Sequence, residues 1–267
     1  MKFASIVLFV IGLAAPALAQ PAKTRILFIG ADPDHPHGSH MYLHTSRALA
    51  RCAENAPNVE AIVSKGWPKD AKILDGVKAI VVYSSPAAEY LLGGPDREAV
   101  ERTLSKGVGL VTIHWASSIR KENVDRLGPL WLKFTGATWV SNVGLSSAKA
   151  PLKLLQSDHP IGRGWKEFEV DDEIYLNPTI KDAKPLLEIR ERKGTDVVVG
   201  WAYERPDKGR SFGTTLGHPY KNFQDDRFRR MIVNGILWSA GLDVPEAGAN
   251  VDIPPELLAL PPQPPKK

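Results

Sequence analysis

The sequence lacks most of the features that announce a function. One cysteine, Cys52, stands in 267 residues, so no disulfide can form within the chain and stability rests on an ordinary hydrophobic core. Charge of one sign is also missing. The 34 Lys and Arg against 30 Asp and Glu leave a formal charge of +4, scattered along the chain, which excludes the clustered basic face that nucleic acid requires. After the first residues no run is apolar over the ~20 residues of a membrane span, so no stable membrane insertion is expected. No Gly-x-x-x-x-Gly-Lys-Ser/Thr loop occurs, and Gly93-Gly94-Pro95 does not supply one, so no nucleotide cofactor is expected. Serine hydrolysis is set aside because no Gly-x-Ser-x-Gly nucleophile elbow is read in the chain.

What is present begins with an address. Lys2 forms a short basic n-region, Phe3 to Ala15 is an apolar h-region, and Ala17-Leu18-Ala19 places small residues at the cleavage positions. Residues 1–19 are therefore expected to be a signal peptide cut after Ala19, and the mature protein is expected to be periplasmic or secreted. Pro16 interrupts the run well short of a membrane anchor. Residues 20–244 read as one α/β domain without repeat or linker, and residues 245–267 as a proline-rich tail, extended on the domain or disordered.

Within the domain, Arg25–Gly30, Ala79–Tyr83 and Val108–Ile113 are short runs of branched and aromatic residues, as expected of strands buried on both faces. Helical patterns over Ser39–Glu54 and Pro95–Lys106 separate them, the second opened by Pro95 and closed by Gly107. That alternation predicts a parallel sheet with helices on both faces. The second half predicts strands over Phe168–Tyr175, Leu186–Arg190, Val197–Glu204 and Arg210–Leu216. Their short polar connections, such as Pro206-Asp207-Lys208-Gly209, predict antiparallel additions to the same sheet. A closing helix is expected over Asp225–Ala240.

Ligands in such sheets bind at the carboxyl ends of the strands. The first strand runs into Asp32-Pro33-Asp34-His35-Pro36-His37-Gly38-Ser39-His40, the third into His114-Trp115, and a later one into Gly217-His218. Imidazoles gathered on loops suit a divalent metal site or an acid/base set, and Asp171-Asp172-Glu173 adds carboxylates. No His-Glu-x-x-His pair is present, so the metal signal is not one of local spacing. His37, His44 and His159 read as surface or capping groups. Cys52 lies inside an amphipathic helix and reads as a buried structural thiol rather than a nucleophile. Of the aromatics near strand ends, Trp115 and Tyr175 adjoin the suspected segments.

Taken in order, Ser39-His40, Lys65-Gly66-Trp67-Pro68, Gly107 through His114, Asp171-Asp172-Glu173-Ile174-Tyr175, Trp201-Ala202-Tyr203-Glu204-Arg205, Gly217-His218 with Asn222, and Asn234-Gly235-Ile236-Leu237-Trp238 resemble ThuA-like (trehalose utilisation) proteins throughout the mature domain. The resemblance implies a three-layer α/β/α, flavodoxin-like fold of the class I glutamine-amidotransferase-like type, with a mixed, mostly parallel sheet and the family nucleophile cysteine replaced, His114 standing in its place. It implies chemistry on glycosides or 3-keto-glycosides, with a small sugar or keto-sugar as partner and a divalent metal (Zn, Mn or Fe) in some members. A homo-oligomer is compatible with it. Carried over by position, His114, Glu173, Asp172 and Tyr175 are the expected catalytic residues, Trp115, Tyr203 and Asn222 the expected substrate contacts, and His35, His40 and His218 the expected metal ligands. Met41 stands where many relatives carry an acid, and Phe223 where Trp is common. The first departure removes one ligand or base, which favours the alternative of a non-catalytic sugar-binding or accessory protein.

Overall fold

The structure, a computed structural model, describes residues 22–141 and 143–263. The expected signal segment lies outside the described residues. In chain order the strands are β1 (Thr24–Gly30), β2 (Val59–Lys65), β3 (Val77–Tyr83), β4 (Gly109–Ile113), β5 (Ser118–Arg120) and β6 (Ala137–Ser141). They continue as β7 (Leu145–Leu154), β8 (Phe168–Tyr175), β9 (Thr179–Ile180), β10 (Lys184–Arg190), β11 (Asp196–Glu204) and β12 (Arg210–Thr214). The helices are α1 (Tyr42–Ala53), α2 (Ala87–Leu92), α3 (Arg97–Leu104), α4 (Val124–Thr135), α5 (Asp226–Ser239) and α6 (Pro255–Leu258).

Nine strands form one sheet in the order β2-β1-β3-β4-β12-β11-β10-β7-β8. The first five run parallel in the flavodoxin-like 2-1-3-4-5 order, with β12 as the fifth. From there the neighbours alternate in direction. Strand alternation builds the layers. Ile26 and Phe28 of β1 join a core with α1 and α5, whereas Leu27 and Ile29 join a second core with α2, α3 and α4. Gly235 lets α5 sit against β12, since a Cβ there would lie 2.2 Å from the Phe212 ring.

The expected strands and helices are all present, with ends shifted by up to three residues. The tail beyond Val244 lies on the domain, with Ala249 and Val251 buried. Asn55 Nδ2 donates to the Asn250 and Asp252 carbonyls, and Asn234 accepts from the Ala249 amide. Its prolines do not forbid a helical turn, because Pro255 occupies the first position of α6, where no N–H is needed. Other elements carry weak sequence signals. α4 contains Gly128 and Pro129, and β7 (LSSAKAPLKL) is polar on one face. No helix among the described residues is long and apolar enough to cross a membrane.

The placing of β8 matters most for function. β7 pairs with β10 only over Leu152–Leu154, while Leu145–Pro151 pair only with β8. The β7–β8 ribbon therefore projects past β10, and contacts from Asp172 to Gly217 and from Tyr175 to His114 hold it over the carboxyl rim of the parallel strands.

Candidate functional site

Three loops meet at that rim. The loop after β1 is zipped to the turn after β12 by backbone bonds from His40 N–H to the His218 carbonyl (3.2 Å) and from Tyr220 N–H to the Gly38 carbonyl (2.8 Å). His114 follows β4 directly, with φ 55°, and His40 has φ 48°. Both are left-handed conformations that non-glycine residues adopt rarely and at some cost, and strain of this kind gathers at functional sites. Gly217, at φ 118°, lets the chain turn so that His218 points back to its neighbours.

The result is a triangle of ring nitrogens. His40 Nε2 lies 3.0 Å from His114 Nε2 and 3.1 Å from His218 Nδ1, and His218 Nδ1 lies 3.3 Å from His114 Nε2. Outer partners assign two of the tautomers. His114 Nδ1–H donates to the Thr215 carbonyl at 2.8 Å, and His40 Nδ1–H donates to Asp34 Oδ1 at 2.7 Å. Tyr42 Oη donates to the other Asp34 oxygen at 3.2 Å and lies 2.7 Å from His40 Nδ1. Each of these rings thus turns a proton-free Nε2 toward the other. Two such acceptors repel unless positive charge lies between them.

A proton is a poor choice for that charge. Burial, reinforced by His35 and His218 and opposed by Asp34, pushes the His40 imidazole down to about 4. Burial and His40 hold His114 well below the usual histidine range, and burial lowers His218 as well. Burial works to raise Asp34, but hydrogen bonds from His35, His40 and Tyr42 hold it below the ordinary carboxylate range. A divalent cation fits better. Nitrogens ~2.0–2.1 Å from a shared centre stand ~2.9–3.4 Å apart at right or tetrahedral angles, which brackets all three separations. An imidazole whose far nitrogen donates to a carboxylate or carbonyl is the usual second layer of such a centre. The three imidazoles are so arranged that they could hold a metal.

Glu173 and Tyr175, two apart on β8, face this triangle. Glu173 Oε2 is 3.6 Å from His218 Nδ1 and 3.8 Å from His114 Nε2, and burial raises its carboxyl. Tyr175 Oη lies 3.1 Å from His114 Nε2, and its ring stacks on Trp139 at 3.9 Å. A cleft of about 180 Å³ opens above, lined by His35, His40, Trp115, Trp139, Leu145, Glu173 and Tyr175.

Several expected residues take other places. His35 stands exposed at the mouth, its ring 3.7 Å from that of His40 and its Nδ1 2.8 Å from Asp34 Oδ1; it is outside the triangle, which His114 completes, but with Asp34 and His40 it forms a second grouping that could hold a metal. Asp172 was expected to be catalytic but lies on the opposite side of β8 and is buried. Its carboxylate accepts from the amides of Glu173, Gly217 and His218 and from Asn222 Nδ2. Burial raises it to about 7 against the pull of those hydrogen bonds. Asp172 and Asn222 therefore brace the turn that carries His218, and neither lines the cleft. Tyr203 is at the other end of the sheet: β11 runs antiparallel to β12, and Tyr203 pairs with Ser211 at the start of that strand. Gly209-Arg210-Ser211-Phe212-Gly213 does have the Gly-x-Ser-x-Gly spacing, but from Arg210 on it is part of β12, and Ser211 is buried with its hydroxyl donating to the Phe134 carbonyl at 2.6 Å, so it forms no elbow. Cys52 is buried, as expected.

Asp34, Tyr42 and Trp139 were not singled out in the sequence. The only signal for the first two is their placement six residues before and two after His40.

Comparison with known proteins gives the family and the fold. The family described as ThuA, trehalose utilisation, matches residues 35–239, a span that holds every residue of the site except Asp34. The chain belongs to that family. A putative ThuA-like protein from Bacteroides uniformis is similar in structure, with a TM-score of 0.57, 18% identity and coverage of 89% of this chain and 99% of the other. A cytoplasmic protein from Salmonella typhimurium gives a TM-score of 0.54 at 11% identity over 80% and 98% of the two chains. A β-galactosidase from Rahnella sp. R3 gives 0.53 at 10% identity, over 83% of this chain but 32% of the enzyme. At these identities the likeness is one of fold. No curated protein matches the sequence.

Proposed function

From membership of the trehalose-utilisation family, we propose that the protein acts on glycosides or 3-keto-glycosides in sugar catabolism, by acid/base chemistry beside a divalent cation held by His40, His114 and His218. The observation that carries this reading is the 3.0 Å approach of two Nε2 atoms whose protons are on the far side of each ring. Zinc, manganese or iron, when bound, supplies positive charge that stabilises a developing oxyanion.

The chain's own residues supply the rest. His114 is wholly buried, with one nitrogen on Thr215 and the other in the triangle, so the base role falls to Glu173. A carbonyl at C3 acidifies the adjacent C–H of a keto-sugar. The Glu173 carboxylate takes the proton from C2, the C–H electron pair forms the C1–C2 double bond as the C1–O bond breaks, and the departing oxygen takes the proton back from Glu173. Raised by burial, Glu173 is suited to accept a proton and return it. Tyr175 stands beside His114 and, with Trp139, gives a flat wall for the sugar ring. Export to the periplasm or beyond is part of the same proposal, on the pattern of residues 1–19; protein recovered from that compartment should begin at Gln20.

The test is a product screen. Chelated protein reloaded with Zn²⁺, Mn²⁺ or Fe²⁺ should convert 3-keto-glucosides, and Glu173→Gln should slow conversion by ~10²–10⁴-fold. The accessory alternative rests on Met41, but Met41 is buried in the core and so does not leave a gap in the site. Binding of oxidised and unoxidised sugars without any product would nonetheless establish that role.

A further inference from the structure

Deepening the sugar-site reading, and resting on it, we infer that the mouth of the cleft is a subsite for an apolar aglycone, an aryl or alkyl group linked to the sugar. The cleft, at about 180 Å³, is smaller than the ~300–1,000 Å³ of a pocket that swallows a drug-sized ligand. It therefore encloses one sugar ring, and whatever that ring is joined to lies across the rim.

The rim on the β7 side has little to offer a second sugar. Leu145 is 52% exposed and pairs directly with Tyr175 across the ribbon, which sets both side chains on one face beside the cleft. The other exposed positions along that strand before Pro151 are Ser147 and Lys149, so Leu145 is the apolar exception. Val143, in the turn just before it, is 44% exposed. Trp115 completes the wall, and its one N–H is already given to Ser141 Oγ at 3.2 Å, leaving an indole face with no donor. Across the cleft, His35 engages Asp34 through its Nδ1, which leaves Nε2 as its one ring nitrogen for a ligand. Sugar hydroxyls laid on Leu145 and Trp115 would lose water without finding partners, whereas a phenyl or alkyl group buries apolar surface there.

Calorimetry on the metal-loaded protein reads this directly, using methyl and phenyl glucosides of both anomers, with trehalose as the disaccharide probe. Phenyl glucoside should bind about tenfold tighter than methyl glucoside, and trehalose no tighter than methyl. Leu145→Ser should bring the phenyl-to-methyl ratio below about threefold, while Leu155→Ser, at another exposed leucine, should leave it unchanged. A ratio near one in the wild type, trehalose binding as tightly as phenyl glucoside, or a ratio indifferent to Leu145→Ser would overturn the aglycone subsite and leave the sugar site standing. Absence of binding by every one of these glycosides would remove the sugar site itself, and the subsite with it.

Discussion

The two rims of one sheet bury polar groups in opposite ways. At the amino rim the Arg205 guanidinium is buried, and its nitrogens donate outward to Asp207, Ser211 Oγ and the carbonyls of Leu104 and Val108. Donor meets acceptor throughout, and the group closes the entrance to β4 and the end of α3. At the carboxyl rim, His40 and His114 meet acceptor to acceptor at 3.0 Å, an arrangement that only an added cation or proton completes. Size points the wrong way here. A cavity of about 620 Å³, larger than the cleft, lies at the amino rim around Gly76, Val77, Gly107 and Val108, yet among the described residues the groupings able to hold a metal are all at the carboxyl rim. A closed network reads as structure, and an incomplete one as a site.

The contrast can be broken or sharpened by experiment. Arg205→Met should have the largest effect on stability, about 3–5 kcal/mol lost in denaturant unfolding, because it strands Asp207 and two carbonyls. Metal content should not change; a loss of metal in this variant would show that the rims are not independent. Asp34→Asn acts on the other rim, where it weakens the carboxylate that fixes the His40 tautomer. It should lower metal affinity ~10–100-fold in a chelator competition and shift unfolding little.

Acid gives a smaller, graded comparison. Burial lowers His40, His114 and His218 at the carboxyl rim, and His159 away from it, below the usual value of 6.5, so the unfolded chain takes up their protons first. In chelated protein, stability should be full above pH 6.5 and fall as pH drops below it, by up to ~1.4 kcal/mol per unit for each group, with the His40 share lost down to about 4. Half-buried His159 sits toward the amino rim, facing Glu204, Lys184 and Arg210. His159→Gln should therefore remove only the minor share of that slope, and equal shares would erase the distinction drawn between the rims.

Much of this was legible in the residues, and the failures have causes. Short branched runs ended by Gly30, His114 and Gly217-His218 marked the parallel strands and their functional ends. Tyr203 was misplaced because strand direction is not written in composition: β11 runs the other way, so its end lies at the opposite rim. Asp172 and Glu173 are adjacent, and alternation requires them to face apart, but which one meets the histidines depends on how the β7–β8 ribbon folds over the rim. Nothing local distinguishes them. That His114 rather than His35 joins His40 and His218 was hidden for a similar reason, since the triangle is closed by loops 74 and 104 residues apart in sequence.

The most direct test is a Zn²⁺ titration by calorimetry of chelated wild type, His114→Ala, His218→Ala and His35→Ala. The account predicts one tight site in the wild type and in His35→Ala, and none in the other two. A wild type without a stoichiometric site, or His35→Ala losing it as fully as His114→Ala, would contradict it.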